Sequence, residues 1–195
     1  MGEMKSAFER AMERAESLGA ASEEDVKKWK YLPEGEKLAA LYLRDEGDLL
    51  SQLDGYDEEA RRIVVEGAQE VMVRNLNLPR NKQAKKTNKK VMEAIKELKQ
   101  DKVALENVYT KIRRIFSHYE QEGEQQRRQA REATKQEVEA RMVQAMQQMG
   151  QAPPARMNVE TQPQFQQEWR KVLAQLDSQY LNLLDEAKQE IRGIR

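Results

Sequence analysis

The chain carries one histidine, His118, and no cysteine, and those two counts decide most of the chemistry open to it. A carboxylate-bridged di-iron bundle needs a glutamate three residues before its histidines, but position 115 is isoleucine and a lone imidazole cannot supply the paired motif. Zinc would find no thiolate and too few imidazoles. No glycine-rich phosphate loop and no Gly-x-Ser-x-Gly nucleophile turn occurs. Closely spaced carboxylates such as Glu122 and Glu124 could share a proton, yet in a chain that is 35% charged they read as solvated helix faces. The residues point to a non-enzymatic protein with no catalytic group, no metal and no cofactor. His118, close to Phe116 and Tyr119, reads as packed or partly exposed.

Three other groupings could bind rather than react. Arg80, Lys82, Lys85, Lys86, Lys89 and Lys90 fall in a stretch without an acid, so they could neutralise several phosphates. The stretch has no aromatic residue to stack on bases, so a nucleic acid there would be held by its backbone without sequence readout. The bland alternative is a basic linker or helix start. Met142, Met146, Met149 and Met157 lie close together, and methionine adapts to irregular apolar partners, which makes this a candidate partner-binding tip. The third grouping is the longest. Phe165, Trp169, Val172, Leu176, Tyr180, Leu183, Ala187, Ile191 and Ile194 recur at steps of three and four, with Leu173, Leu181 and Leu184 widening the stripe.

The elements that must position these groups are helical. No stretch alternates with a period of two, and 38% hydrophobic residues leave a thin core, which suits two-layer helical packing better than a sheet. The expected fold is all-α, with a compact helical module over residues 1–79, a basic linker or helix start over 80–90, and a long helix over 91–149. A proline-containing loop over 150–164 and an amphipathic helix over 165–195 complete an extended, coiled-coil-like hairpin. Within the module, Met4 to Leu18 forms a first helix, and Ser22 with Asp25 resembles a capping pair. Pro33 ends one helix and opens the next, Asp57 caps a longer one, and Pro79 closes it. In the long helix, Val91, Ile95, Leu98, Leu105, Tyr109, Ile112, Phe116 and Tyr119 form a stripe in which Lys102 is the one misplaced residue. From Glu120 to Glu137 nothing apolar exceeds alanine, so a solvated helix is expected there.

A simple hairpin sets the apolar stripe of the last helix against that polar segment, where only Ala130 and Ala133 are apolar. Each fully buried large side chain is worth about 1.5–3 kcal/mol, so the mismatch needs a remedy. Either the arm bends near Gly123 and the last helix packs on the N-terminal module, or the stripe pairs with a second copy. The length and regularity of the stripe favour a homodimer, with Phe165, Trp169, Val172, Leu176, Tyr180, Leu183, Ile191 and Ile194 as its self-association face.

The formal net charge is zero, yet residues 1–60 carry 8 basic and 16 acidic side chains while 61–120 carry 15 and 7, so the two regions attract each other or present a basic surface. No apolar run approaches membrane-spanning length and the first residues fit no signal peptide, so a soluble cytoplasmic protein without membrane contact is expected.

The stretches Phe8–Gly19 (FERAMERAESLG), Trp29–Ala40 (WKYLPEGEKLAA), Lys111–Gln121 (KIRRIFSHYEQ) and Asn158–Trp169 (NVETQPQFQQEW), with Leu176–Ile191, resemble an uncharacterised family of all-helical bacterial proteins, mostly from Gram-positive anaerobes. That resemblance implies no established activity and assigns no functional residue. Two readings of function remain. One is a helical scaffold or adaptor acting through protein contacts and self-association. The other is RNA or ribonucleoprotein binding through residues 80–90.

Overall fold

A computed structural model describes residues 22–152 and 158–194. The fold is all-α, and no strand occurs among the described residues. Helices α1 (Glu23–Leu43), α2 (Leu49–Leu53), α3 (Glu58–Arg74), α4 (Lys82–Leu98), α5 (Lys102–Glu120) and α6 (Glu122–Gln148) are followed by a 3-10 turn (Val159–Thr161) and the long α7 (Pro163–Gly193). The helix expected over Met4 to Leu18 lies outside the described residues. The chain divides into two compact units. One gathers the residues up to Asn77, Asn81–Tyr109 and the segment from Lys188 onward; the other comprises Leu78–Arg80 and Thr110–Ala187.

In the first unit the starts of α1, α3 and α4 are each signalled by a capping residue, whereas Asp48 before α2 makes no side-chain cap bond. The Ser22 hydroxyl accepts from the Asp25 N–H while the Asp25 carboxylate accepts from the Ser22 N–H, a reciprocal capping box. Asp57 accepts from Ala60 N and Asn81 from Ala84 N. Pro33 does not end a helix, contrary to the sequence expectation: α1 runs through it. The missing N–H leaves the Trp29 carbonyl without its helical partner, and Trp29 is on the exposed side of the helix. The opposite side is held by α3. A Cβ at Gly35 would lie 2.0 Å from the Val64 carbonyl oxygen, and one at Gly67 would lie 2.3 Å from that of Leu32. Two glycines thus let the α1 and α3 backbones touch, and that packing outweighs the proline's local cost.

Leu53, Val64, Met72, Ile95 and Ile191 are among the fully buried side chains of this unit. Ile191 belongs to the last turns of α7, so the end of that helix packs with the N-terminal elements, whereas the remedy expected from the sequence had the whole helix do so. Two polar groups are buried with partners. The Asn88 carboxamide bonds both the N–H (2.9 Å) and the carbonyl (2.6 Å) of Asn77, and the Tyr109 hydroxyl donates to the Met92 carbonyl at 2.7 Å.

The single helix expected over 91–149 is three helices. The first break falls at Lys99, which is extended (φ −86°, ψ 145°), after which the Asp101 carboxylate accepts from Ala104 N and restarts the coil as α5. Lys102 opens α5 instead of interrupting a stripe, which explains its polar side chain. The second break is at Gln121 (φ −94°, ψ −80°), two residues before Gly123. Of the stretch 80–90, Asn81 is the N-cap and residues 82–90 are the start of α4.

In the second unit α6 and α7 run antiparallel. Tyr180 lies against Gly123, where a Cβ would stand 3.0 Å from its hydroxyl. Fifteen residues further along α6, Val138 packs with Phe165, fifteen residues back along α7, in a cluster completed by Val159. Between these anchors α6 turns small residues inward: Gly123, Thr134 and Val138 are buried and Ala130 is half-buried, whereas Ala133 is exposed. The Thr134 hydroxyl is satisfied by the Ala130 carbonyl at 2.8 Å. Smallness, more than hydrophobicity, is how α6 receives its larger partner.

Candidate functional site

The methionines form a groove. Val138, Met142, Ala145, Met146 and Met149 from the last four turns of α6 face Gln164, Gln167 and Glu168 from the first turns of α7, enclosing an open cavity of about 470 Å³. Met142 packs onto the Val138–Val159–Phe165 cluster, as Trp169 does, and so ties the floor of the groove to it. Met149 is 67% exposed at the rim. Met157, also expected at this tip, lies outside the described residues. Arg141 stands over the groove, 3.8 Å from Glu137 and 3.9 Å from Glu168. Both separations are long for ion pairs, so Arg141 can exchange either partner for a group on a ligand at little cost.

Of the eight residues expected to self-associate, Phe165, Tyr180 and Ile191 are buried within the single chain. Trp169, Val172, Leu176 and Ile194 are half-buried, and Leu183, with Leu181 beside it, is exposed. The inner edge of the stripe is therefore occupied by the chain itself.

The basic stretch also separates into two kinds of residue. Arg80 reaches Asp177 at 2.7 Å, and Lys90 bonds Asp45 while lying over the Tyr42 ring, 4.6 Å from its centroid. Those two cations neutralise the fold's own acids. Lys82, Lys85, Lys86 and Lys89 project from the first half of α4 and are exposed; Lys86 reaches Asp45 at 4.0 Å and Lys89 reaches Glu93 at 3.9 Å.

Sequence reasoning passed over one cluster, in the second unit beside the Gln121 break. Asp177 is 1% exposed on the apolar face of α7, paired with half-exposed Arg80. The Tyr119 phenol lies beside both groups; burial first, then the Asp177 charge, push its proton affinity up. The Arg127 guanidinium stacks 3.9 Å from the Tyr119 ring and donates to the Tyr119 carbonyl, and Tyr180 meets Tyr119 edge-on at 5.1 Å. His118, which is half-exposed, contacts the Tyr180 hydroxyl through Nδ1 at 2.8 Å and Glu122 through Nε2 at 2.5 Å. Both contacts are satisfied with the proton on Nε2, so that Nδ1 accepts from the phenol. Because His118 precedes the helix break and Glu122 follows it, their bond clasps the junction. The one sequence signal for the cluster is Asp177 itself, an acid three residues before Tyr180 on an apolar face.

Among the described residues no group of acids and imidazoles is arranged to hold a metal ion, and no helix is long and apolar enough to cross a membrane. A family model described as Family of unknown function (DUF6657) matches residues 50–193. The chain belongs to that family. No curated protein and no solved structure matches it. The DUF6657 match spans α3 to α7, including the whole methionine groove and the Asp177 cluster.

Proposed function

We propose that this DUF6657 protein is a non-enzymatic helical adaptor that takes an apolar segment of another protein into the groove at the α6–α7 end. The observation that carries this reading is the groove's construction: three methionines line an open cavity whose floor is already tied to a buried cluster. A core position would be filled, whereas this one is shaped and exposed. Its volume lies within the range of sites that hold drug-sized ligands or anchoring side chains. Unbranched thioethers repack around differing apolar shapes, which suits an amphipathic helix presenting leucine or phenylalanine at helical spacing. Arg141 and Glu168 at the rim offer one charge of each sign to the partner's polar flank. Self-association belongs to the same reading, through Leu181 and Leu183 and the half-buried Trp169, Val172 and Leu176, and so does a cytoplasmic location in a Gram-positive bacterium.

The test is fluorescence anisotropy with a labelled amphipathic helical peptide carrying leucines at steps of three and four. M142Q/M146Q/M149Q should weaken binding at least about tenfold, on the order of 1.4 kcal/mol, in a chain that stays folded at the assay temperature, with some lowering of the unfolding midpoint because Met142 packs on the buried cluster. Equal affinity in the triple variant would remove the groove from the account.

A second reading rests on the exposed lysines of α4. Lys82, Lys85, Lys86 and Lys89 could contact an RNA backbone, with affinity falling steeply with salt. Replacing all four by glutamine abolishes such binding if this reading holds and leaves peptide binding intact.

A further inference from the structure

The first unit contains a second cavity, of about 350 Å³, lined by Leu32, Glu36, Gly67, Val73, Lys99 and Arg192 among others. Lys99 is 5% exposed, because the break after α4 turns it inward. Its ammonium has three donors and, among the described residues, one hydrogen bond, to the Ile194 carbonyl at 2.5 Å. Burial lowers its proton affinity, and among the described residues no facing carboxylate offsets it. The other cation in the cavity is committed, since Arg192 holds Glu70 through two bonds at 2.8 and 3.0 Å. Arg74 lies 3.2 Å from Glu36 and 3.2 Å from Glu70, so two of the nearby acids are neutralised. Among the described residues that line the cavity, the remaining charged group is Glu66 of α3, and Gln69 of the same helix turns its amide to the Leu98 carbonyl.

We propose that this cavity binds a small monocarboxylate with an apolar tail, whose carboxylate takes the uncommitted donors of Lys99 while the tail lies along Leu32 and Val73. A buried cation without a counter-ion is costly unless it is paired, and a ligand carboxylate supplies the pair. Phosphate fits less well, because a second negative charge would face Glu66 and find no second uncommitted cation. A positively charged amine would face the ammonium of Lys99.

The probe is 4-methylpentanoate, with its neutral isostere 4-methylpentanamide as the control for charge. Calorimetry and NMR titration of the full chain at neutral pH should show saturable binding of the acid, with the amide at least about tenfold weaker. Binding should weaken as pH rises and Lys99 loses its proton; the other charged groups lining the cavity are Glu36, Glu66, Glu70 and Arg192. K99M should lose the acid-over-amide preference. The wild-type comparison of acid with amide, and its pH profile, stand even if K99M folds poorly. No saturable binding of the acid up to about 10 mM, or equal affinity for acid and amide, would overturn the proposal.

Discussion

Arg80 shows how much a single residue's role depends on what lies opposite it. In the sequence it heads a run of six cations; in the structure it is the counter-ion of Asp177, an acid buried on the apolar face of α7. Removing one member of a fully buried pair costs about 3–5 kcal/mol, because the other charge is left without compensation. Arg80 is half-exposed, so water screens part of that loss, and R80A should cost about 2 kcal/mol in urea unfolding. R80M/D177L should recover most of it, since neither charge then remains. Lys99 gives a second prediction, with an explicit sign. Its folded proton affinity is lowered from the ordinary 10.5, so between the folded and unfolded values the unfolded chain binds more protons and stability rises with pH. Below that window the burial penalty is fully present. K99M should therefore equal or exceed wild type at pH 7, and its advantage should shrink as the pH is raised towards 10. An advantage independent of pH would contradict the assignment. Neither residue was legible from composition or periodicity, because both are polar side chains whose burial is decided by a helix break or by a distant acid.

At the scale of elements, local rules worked where the local signal was strong. Ser22 with Asp25, and Asp57, cap the helices that the sequence assigns to them, and the stripe from Val91 to Tyr119 is buried at Val91, Ile95, Leu105, Tyr109, Ile112 and Tyr119. Reading failed where tertiary contact overrules propensity. Pro33 lies inside α1, and Gly35 and Gly67 are where α1 and α3 meet. In a free helix glycine to alanine gains about 1 kcal/mol. Here G35A and G67A should each lose about 1–3 kcal/mol, because the added carbon meets a backbone carbonyl that cannot withdraw. G123A should be milder, since its neighbours at 3.0 Å are the ends of the Arg127 and Tyr180 side chains. Thermal unfolding of the three variants gives the order, and G123A as the most damaging would contradict it. The apparent defect at Lys102 was legible in sequence; its meaning, a helix start, was not, because a three-residue break leaves the periodicity on either side nearly in phase.

At the scale of the molecule, the problem posed by α7 is met largely inside one chain. Its last turns join the first unit through Ile191, Lys99 and the Arg192–Glu70 pair, while Tyr180 and Phe165 are taken by the small and apolar residues of α6. The methionine end stays open, with Met149 exposed at its rim, and that is where a partner is expected. Labelling the methionine methyls with carbon-13 and titrating with an amphipathic helical peptide reads that surface directly. The account predicts saturable shifts at Met142, Met146 and Met149, with Met72, buried in the other unit, unmoved. Unchanged methyl signals at those three positions, or shifts of equal size at Met72, would contradict it.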